Sequence, residues 1–267
     1  MTWWEAALLG LVQGLTEFLP VSSSGHLVLG QYLLGLDAEA DVTFEVLVHF
    51  GTVLSILTVY WRRVLRLITA VFKGLARPVQ AYAEDDDVRM AAHILITLVP
   101  TGLVYVLLRE QLEAAFGSPK LVCGMLIVTG ILLLLTLLRR DPSGRITPLK
   151  ALLVGLAQAA AMIPGISRSG STICTALYQN VTPSDAADFS FLMLLPVVLG
   201  ATLLKVLDLT EQASSVDTVG LAIGTLVAYV SGVLAIRVML DFVKKGRLQY
   251  FAYYCFAVGG LGLALLP

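Results

Sequence analysis

The amino-acid sequence predicts an all-α integral membrane protein, with six transmembrane helices and two re-entrant helical hairpins arranged as an inverted-topology repeat. The first observation behind this prediction is composition. Of the 267 residues, 57% are hydrophobic and 14% are charged, whereas a soluble domain has roughly 25% charged residues. The second observation is a set of long apolar stretches, and the third is a polar turn motif that occurs twice. Together they indicate a single membrane domain.

Six apolar stretches are long enough to span a bilayer, which takes about 20 residues of helix. They cover approximately residues 42–61, 91–108, 119–138, 187–207, 217–238 and 249–267. Two further stretches, 1–34 and 150–178, are interrupted midway by Pro, Gly and Ser. Each of these two is either one kinked span or a re-entrant hairpin that enters and leaves on the same side.

Loop charge distinguishes these alternatives, because cytoplasmic loops collect Lys and Arg. The basic residues of three loops are Arg62, Arg63, Arg66, Lys73 and Arg77, then Arg139, Arg140, Arg145 and Lys150, then Arg237, Lys244, Lys245 and Arg247. Two crossing segments would place the third loop opposite the first two, whereas re-entrant hairpins place all three on the cytoplasmic side. Re-entrant hairpins also put both termini, the 206–217 loop and the acidic linker with Asp37, Glu39 and Asp41 outside.

An internal repeat supports this topology. Residues 10–25 are echoed at residues 155–170, and the offset of 145 residues holds from Gln13 and Gln158 to the glycine that ends each copy. Broken helices at matching places in two halves of a membrane protein point to a polar site between the halves. We therefore predict that repeat one covers approximately residues 1–140 and that repeat two covers approximately residues 148–267.

The first copy concentrates polar residues in an apolar region. Gln13 and Glu17 are four residues apart and share one helix face, and Pro20 disfavours helix at the residue before it. Residues 22–25, Ser-Ser-Ser-Gly, form the turn, and His26 starts the outgoing helix. A carboxylate in hydrocarbon costs about 2.5–3.5 kcal/mol on insertion scales. Glu17 therefore faces a polar cavity, a cation or a proton-shuttling partner; the alternative is a helix-end carboxylate at the water interface.

The second copy breaks at Pro164 and Gly165, and residues 167–172, Ser-Arg-Ser-Gly-Ser-Thr, open the outgoing helix. A helix N-terminus attracts phosphate, because its unpaired N–H groups carry partial positive charge. Arg168 adds a fixed charge and a bidentate fork. The alternative is that Ser167 only caps the helix while Arg168 extends to the cytoplasmic headgroups.

Hairpins that enter from opposite faces can meet at their tips, and two helix N-termini with Arg168 would then cradle a phosphate. The predicted phosphate contacts are Ser22, Ser24, Gly25, Ser167, Ser169, Gly170 and Thr172. Glu17, with Gln13 as a second ligand, would hold a divalent cation, since hard cations prefer oxygen. Ser23 and His26 would supply a hydroxyl nucleophile and its general base. Attack by a water, activated by Glu17 or by the metal, is the open alternative.

Other polar residues contribute less to the predicted site. Glu45 is either a second acidic group of the site or a residue of the external interface, and His49 and His93 lie near span ends and are left out of the chemistry. The three cysteines stand singly in apolar stretches, which argues against thiol metal ligands and a disulfide framework. The absence of a basic stripe argues against nucleic acid as a partner.

At both motifs the chain resembles the undecaprenyl-diphosphatase, or bacitracin-resistance, family of bacterial inner-membrane proteins. The family's first motif is matched by residues 13–26 and its second by residues 164–172, Pro-Gly-Ile-Ser-Arg-Ser-Gly-Ser-Thr. The resemblance covers essentially the whole chain. It implies a catalytic set made of Glu17, Ser23, His26 and Arg168.

The resemblance also implies an activity, namely removal of the terminal phosphate from undecaprenyl pyrophosphate to give undecaprenyl phosphate and inorganic phosphate. This would recycle the carrier lipid for peptidoglycan synthesis and confer bacitracin resistance. A divalent cation, Mg²⁺ or Ca²⁺, and an active site open to the external face of the inner membrane are implied as well. Gln13 stands where some members have Glu, which shifts cation binding onto Glu17.

The rival function is a polyprenyl-phosphate flippase or transporter, alone or combined with hydrolysis, because transporters also use inverted repeats with broken helices. Such a protein would need Arg168 but has little use for Ser23 and His26 as a pair. The sequence leaves open which group attacks phosphorus and whether the chain forms a homo-oligomer.

Overall fold

The computed structural model describes residues 2–35, 42–139, 143–209 and 218–266, and the side chains of these residues except 42–43 and 201–209. Several residues that were expected to face outside, or to belong to a basic loop, therefore lie outside the described residues. They are Asp37, Glu39, Asp41, Arg140 and the stretch 210–217.

The described chain is almost entirely helical. In chain order the α-helices are α1 Trp3–Phe18, α2 Ser23–Leu34, α3 Val42–Gly74, α4 Pro78–Glu84, α5 Asp86–Phe116, α6 Pro119–Leu135, α7 Pro148–Ala160, α8 Arg168–Tyr178, α9 Pro183–Leu209, α10 Thr218–Lys244 and α11 Gln249–Leu265. Five of them, α3, α5, α6, α9 and α10, are long and apolar enough to cross a membrane. The sixth predicted span is α11, a shorter apolar helix of 17 residues. The predicted all-α membrane class is confirmed.

Some helices extend beyond the ends of the apolar stretches that hydropathy identifies. Helix α3 continues to Gly74, past a kink at Tyr60 where the backbone leaves helical geometry. Arg62, Arg63, Arg66 and Lys73 therefore lie on a helical extension, and the expectation that they belong to a loop is wrong. Arg77 lies between α3 and α4. Ion pairs hold this extension, because Asp87 at the start of α5 lies 2.9 Å from Arg63 and 3.4 Å from Arg66.

The two interrupted stretches form helical hairpins. Helices α1, α2, α7 and α8 have 16, 12, 13 and 11 residues, so each is about 16–24 Å long at 1.5 Å per residue and too short to cross about 30 Å of hydrocarbon alone. Helix α1 packs against α2, and helix α7 packs against α8. The chain thus reverses at each break, in agreement with the re-entrant alternative.

Helices of the first half pack against helices of the second half in corresponding pairs. Helix α1 packs on α10 and helix α7 packs on α5, and in the predicted repeat α7 is the counterpart of α1 while α10 is the counterpart of α5. Helix α6 packs on α11, and α3 on α9, which are also counterpart pairs. The packing is what a two-fold relation between repeats requires, while the repeat boundaries stay a prediction.

Candidate functional site

The tips of the two hairpins touch through glycines and a proline. A Cβ added to Gly25 would lie 3.0 Å from the Cα of Gly165, and one added to Gly170 would lie 3.3 Å from the Cβ of Pro20. These contacts obey the sequence offset of 145, because position 165 corresponds to 20 and position 170 to 25. Ser169 Oγ also donates to the carbonyl of Leu19 at 3.2 Å. The two breaks therefore form one joint between the halves.

Matching serine caps open the outgoing helices. Ser22 Oγ accepts a hydrogen bond from the N–H of Gly25 at 3.2 Å, and Ser167 Oγ accepts one from the N–H of Gly170 at 3.0 Å. These hydroxyls are engaged in capping, while the first N–H groups of α2 and α8 have no partner within their own helices. Two positive helix ends thus meet at the joint, which favours an anion there.

Glu17 connects the two tips. Its carboxylate is buried, with 7% of the side chain exposed. It accepts hydrogen bonds from Arg168 Nη2 at 2.7 Å, from Ser23 Oγ at 2.6 Å and from Gln13 Nε2 at 3.0 Å. Ser23 and Arg168 are the first residues of α2 and α8 and occupy equivalent positions in the repeat. Glu17 is thus a buried carboxylate rather than an interfacial one, and it lies beside both a hydroxyl group and a fixed cation.

Arg168 points inward rather than toward headgroups. Besides its bond to Glu17, its Nη1 donates to the carbonyl of Ser190 on α9 at 3.2 Å. Thr172, one of the predicted phosphate contacts, bonds instead to the carbonyl of Arg168 at 2.8 Å and to the Ser190 hydroxyl at 2.6 Å. Thr172 and Ser190 therefore hold the guanidinium and the start of α8 in place.

The structure does not pair Ser23 with His26. His26 Nδ1 donates to the carbonyl of Ser22 at 2.8 Å, and its Nε2 lies 2.8 Å from the hydroxyl of Tyr254. The Ser23 hydroxyl faces Glu17, because the acceptor that it reaches belongs to the incoming helix. The group placed to take the Ser23 proton is thus Glu17, and His26 is placed for another task.

Two residues that the sequence analysis left out of the chemistry, Thr129 and Ser190, contact the second tip. Thr129 on α6 donates to the carbonyl of Gly165 and accepts from the N–H of Ser167, both at 2.9 Å, so it braces the second tip. Ser190 orients Arg168, as described above. Only their positions in space reveal these roles, since in sequence they are isolated polar residues in apolar helices.

The remaining candidate residues, namely His93, Glu45 and the three cysteines, make contacts of an ordinary structural kind. His93 Nε2 lies 3.1 Å from the Tyr82 hydroxyl, near the start of α5. The carbonyl of Glu45 accepts a hydrogen bond from His49 Nδ1 at 2.7 Å, and a catalytic role for Glu45 stays a prediction. Cys123, Cys174 and Cys255 are buried free thiols.

The residues around Glu17 fit an oxygen-bound cation that takes further ligands from substrate or water. Gln13 Oε1 is buried and without a hydrogen-bond partner, and amide oxygens and carboxylates are the ligands that Mg²⁺ and Ca²⁺ prefer. Within the described part of the chain no group of three or more His, Cys, Asp or Glu side chains could hold a metal on its own. Mg²⁺ sites commonly combine one or two carboxylates with substrate phosphates.

Comparison with known proteins gives full-length matches. The family model described as bacitracin resistance protein BacA matches residues 6–261. The chain is 64% identical to an undecaprenyl-diphosphatase of Salinibacter ruber, across the full length of both chains. It is 42% identical to one of Bacteroides fragilis, over 97% of this chain and 96% of that one, and 41% identical to one of Desulfatibacillum aliphaticivorans, over 97% of each.

Proposed function

Because this chain belongs to the bacitracin resistance protein BacA family, we propose that it hydrolyses undecaprenyl pyrophosphate to undecaprenyl phosphate and inorganic phosphate. The observation that carries the proposal is the buried Glu17 carboxylate, which bonds at once to Ser23 and to Arg168. In this proposal Ser23 is the nucleophile, Glu17 is its base and Arg168 is the phosphate-binding cation, and all three lie at the joint of two helix N-termini. A lipid diphosphate is the substrate that such a polar joint within an apolar helix bundle suits.

Binding places the terminal phosphate against the first turns of α2 and α8. The N–H groups there and the Arg168 guanidinium donate to its oxygens. The tips support the anion with the small residues Ser24, Gly25, Ser169 and Gly170, which allow the backbone to come close. The isoprenoid tail stays in the lipid that surrounds the helices.

The first chemical step is attack of Ser23 Oγ on the terminal phosphorus. Its proton passes to Glu17 Oε2 over the 2.6 Å hydrogen bond. The bond from phosphorus to the bridging oxygen breaks, and undecaprenyl phosphate leaves with that oxygen and its electron pair. Arg168 and the helix ends stabilise the charge on the transferring phosphoryl group.

The second step returns the enzyme to its starting state. A water attacks the phosphoserine and gives a proton to His26, the phosphorus–Oγ bond breaks, and Ser23 Oγ recovers its proton from Glu17. Inorganic phosphate leaves with the proton that His26 held, which restores neutral His26. Glu17 and His26 thus have separate tasks, which fits their separate hydrogen-bond partners.

A divalent cation, Mg²⁺ or Ca²⁺, completes the proposed site. Glu17 and the Gln13 amide oxygen would hold it, and it would neutralise negative charge on the diphosphate oxygens. Glu17 and Arg168 cancel each other's charge, so a bound diphosphate calls for added positive charge.

We further propose that the protein lies in the bacterial inner membrane with this site open to the external side. The basic residues at the ends of α3 and α10 support this orientation through the positive-inside rule. The substrate class supports it too, because a lipid diphosphate released by cell-wall polymerisation arises outside.

The test is phosphate release from undecaprenyl pyrophosphate by the purified full-length protein in detergent with Mg²⁺. We expect Ser23→Ala, Glu17→Gln and Arg168→Ala each to lower kcat/KM by about 10³-fold or more. Ser184→Ala, an exposed serine at the start of α9, is the control that keeps activity. Full turnover in Ser23→Ala together with loss in Arg168→Ala would instead favour attack by water, and no phosphate release by the unsubstituted protein would favour the flippase.

A further inference from the structure

A tyrosine far along the sequence contacts the first tip. The hydroxyl of Tyr254 on α11 lies 2.8 Å from His26 Nε2. The two rings also stack, with centroids 5.5 Å apart and planes inclined by 12°. The next residue, Cys255, is buried with its sulfur 4.0 Å from the carbonyl of Pro20. Helix α11 therefore lies against the first tip through two consecutive side chains.

Tight packing on α6 fixes the position of this helix. A Cβ added to Gly259 would lie 2.7 Å from the carbonyl oxygen of Cys123. One added to Gly130 on α6 would lie 2.6 Å from the ring of Phe256. At these points α6 and α11 are packed so closely that neither helix can slide along the other. Tyr254 is therefore held at a defined place beside His26.

The hydrogen bonds of His26 determine which nitrogen can take a proton. A backbone carbonyl can only accept, so the nitrogen bonded to Ser22, Nδ1, carries the hydrogen. Ser22 has a φ of 71°, a conformation that non-glycine residues rarely adopt, and its carbonyl faces the ring. In neutral His26 the basic nitrogen is therefore Nε2, and the Tyr254 O–H is its donor.

An imidazole nitrogen has one in-plane lone pair, and in this structure the Tyr254 hydroxyl occupies it. A proton on its way to Nε2 must therefore either pass through this hydroxyl or displace it. We propose that it passes through, and that Tyr254 is a further catalytic residue that links the attacking water to His26. This inference rests on the proposed function, in which His26 receives the proton of that water.

The step balances without another reactant. The water gives a proton to Tyr254 Oη while Oη gives its own proton to His26 Nε2, and the water oxygen forms its bond to phosphorus as the bond to Ser23 Oγ breaks. Tyr254 remains a neutral phenol, and it then accepts a hydrogen bond from the new Nε2–H, since a phenol hydroxyl both donates and accepts.

The decisive variant is Tyr254→Phe, which keeps the stacked ring and removes the hydroxyl. We expect kcat to fall about 10- to 100-fold, at the lower end of proton-transfer contributions. KM should fall in parallel, because the first step is intact and the phosphoserine accumulates. Quenching with substrate labelled in the terminal phosphate should trap more labelled protein than in the unsubstituted enzyme. Unchanged or raised kcat would mean that the hydroxyl only blocks Nε2, and would overturn the proposal.

Matched controls separate chemistry from packing. Tyr253→Phe removes the hydroxyl of the neighbouring exposed tyrosine and should leave all parameters unchanged. In a His26→Ala background, Tyr254→Phe should have no further effect, because residues that act through one another are not additive. Independent losses in the double variant would contradict the linked role.

A spectroscopic measurement tests the contact between Tyr254 and His26 independently of the reaction mechanism. In protein with ¹⁵N-labelled histidine, Tyr254→Phe should shift the Nε2 resonance of His26 toward that of an unbonded nitrogen and leave His49 and His93 unchanged. An unmoved His26 resonance would refute the hydrogen bond and with it this inference. The proposed function fails by a different result, no phosphate release by the unsubstituted protein, which leaves the ¹⁵N measurement of the contact between Tyr254 and His26 interpretable.

Discussion

At the scale of single residues, the site depends on one buried ion pair shared by two hairpins. Arg168 and Glu17 are 15% and 7% exposed, so each compensates a charge that protein surrounds on nearly all sides. Removing one partner of a buried pair costs about 3–5 kcal/mol, because the other charge remains uncompensated. The pair therefore closes the joint between the hairpins and, in the proposed function, prepares the phosphate site.

The ion pair predicts a difference between stability and activity. We expect Arg168→Met to lower the melting temperature in detergent by several degrees, and the double variant Glu17→Gln with Arg168→Met to recover most of that loss. Neither protein should release phosphate. A double variant as unstable as the single one would show that the charges are not coupled.

Arg168→Lys tests the two-pronged geometry of the guanidinium. Arg168 bonds to Glu17 through Nη2 and to the Ser190 carbonyl through Nη1, and a single ammonium does not reproduce this fork. We expect kcat/KM to fall about 10- to 100-fold and the melting temperature to fall less than in Arg168→Met, since the charge stays while one charge-assisted hydrogen bond, worth about 1.5–3 kcal/mol, is lost. Unchanged kinetics in Arg168→Lys would show that activity does not need the two-pronged geometry of the guanidinium.

Gln13 offers a test of the cation. In Gln13→Glu a second carboxylate lies beside Glu17, and like charges repel without a cation between them. The variant should melt at a lower temperature than the unsubstituted protein in EDTA and should gain more from added Mg²⁺ or Ca²⁺. Its activity should saturate at a lower cation concentration. An identical cation response in both proteins would argue against a metal at this pair.

At the scale of helices and turns, the two tips are braced from outside the hairpins. Gly165 has a φ of 96°, which favours glycine. Thr129 satisfies both the carbonyl of this residue and the N–H of Ser167. The second break is thus stabilised by helix α6, whereas the first is covered by α11.

Thr129→Val removes both hydrogen bonds without changing side-chain shape. A buried polar group left unpaired costs about 1–3 kcal/mol, so we expect a lower melting temperature and a several-fold lower kcat. The control is Thr69→Val, because the exposed Thr69 hydroxyl bonds only to carbonyls of its own helix. Equal changes of melting temperature and kcat in Thr129→Val and Thr69→Val would show that Thr129 has no special role.

At the scale of the whole molecule, orientation in the membrane follows from charge. The second half of α3 and the start of α5, which the proposed orientation makes cytoplasmic, form a cluster of ion pairs around Asp87. The same orientation makes both termini external. The natural cysteines are buried, so thiol reagents report mainly on introduced cysteines.

Labelling of intact cells tests this orientation. With a membrane-impermeant maleimide, Thr2→Cys should react from outside, and Ala83→Cys on α4 should react only after the cells are opened. The reverse pattern would place the site on the cytoplasmic side and would exclude the proposed external hydrolysis.

The sequence by itself determined the membrane class, the positions of the spans and the two breaks, because hydropathy, proline and glycine act locally. It also singled out Glu17, Ser23, His26 and Arg168, since polar residues in an apolar region are costly unless used. Only the tertiary structure decided their partners. Arg168 reaches Glu17 across 151 residues and Tyr254 reaches His26 across 228. Such contacts depend on how helices pack, and packing among apolar helices leaves little trace in local sequence.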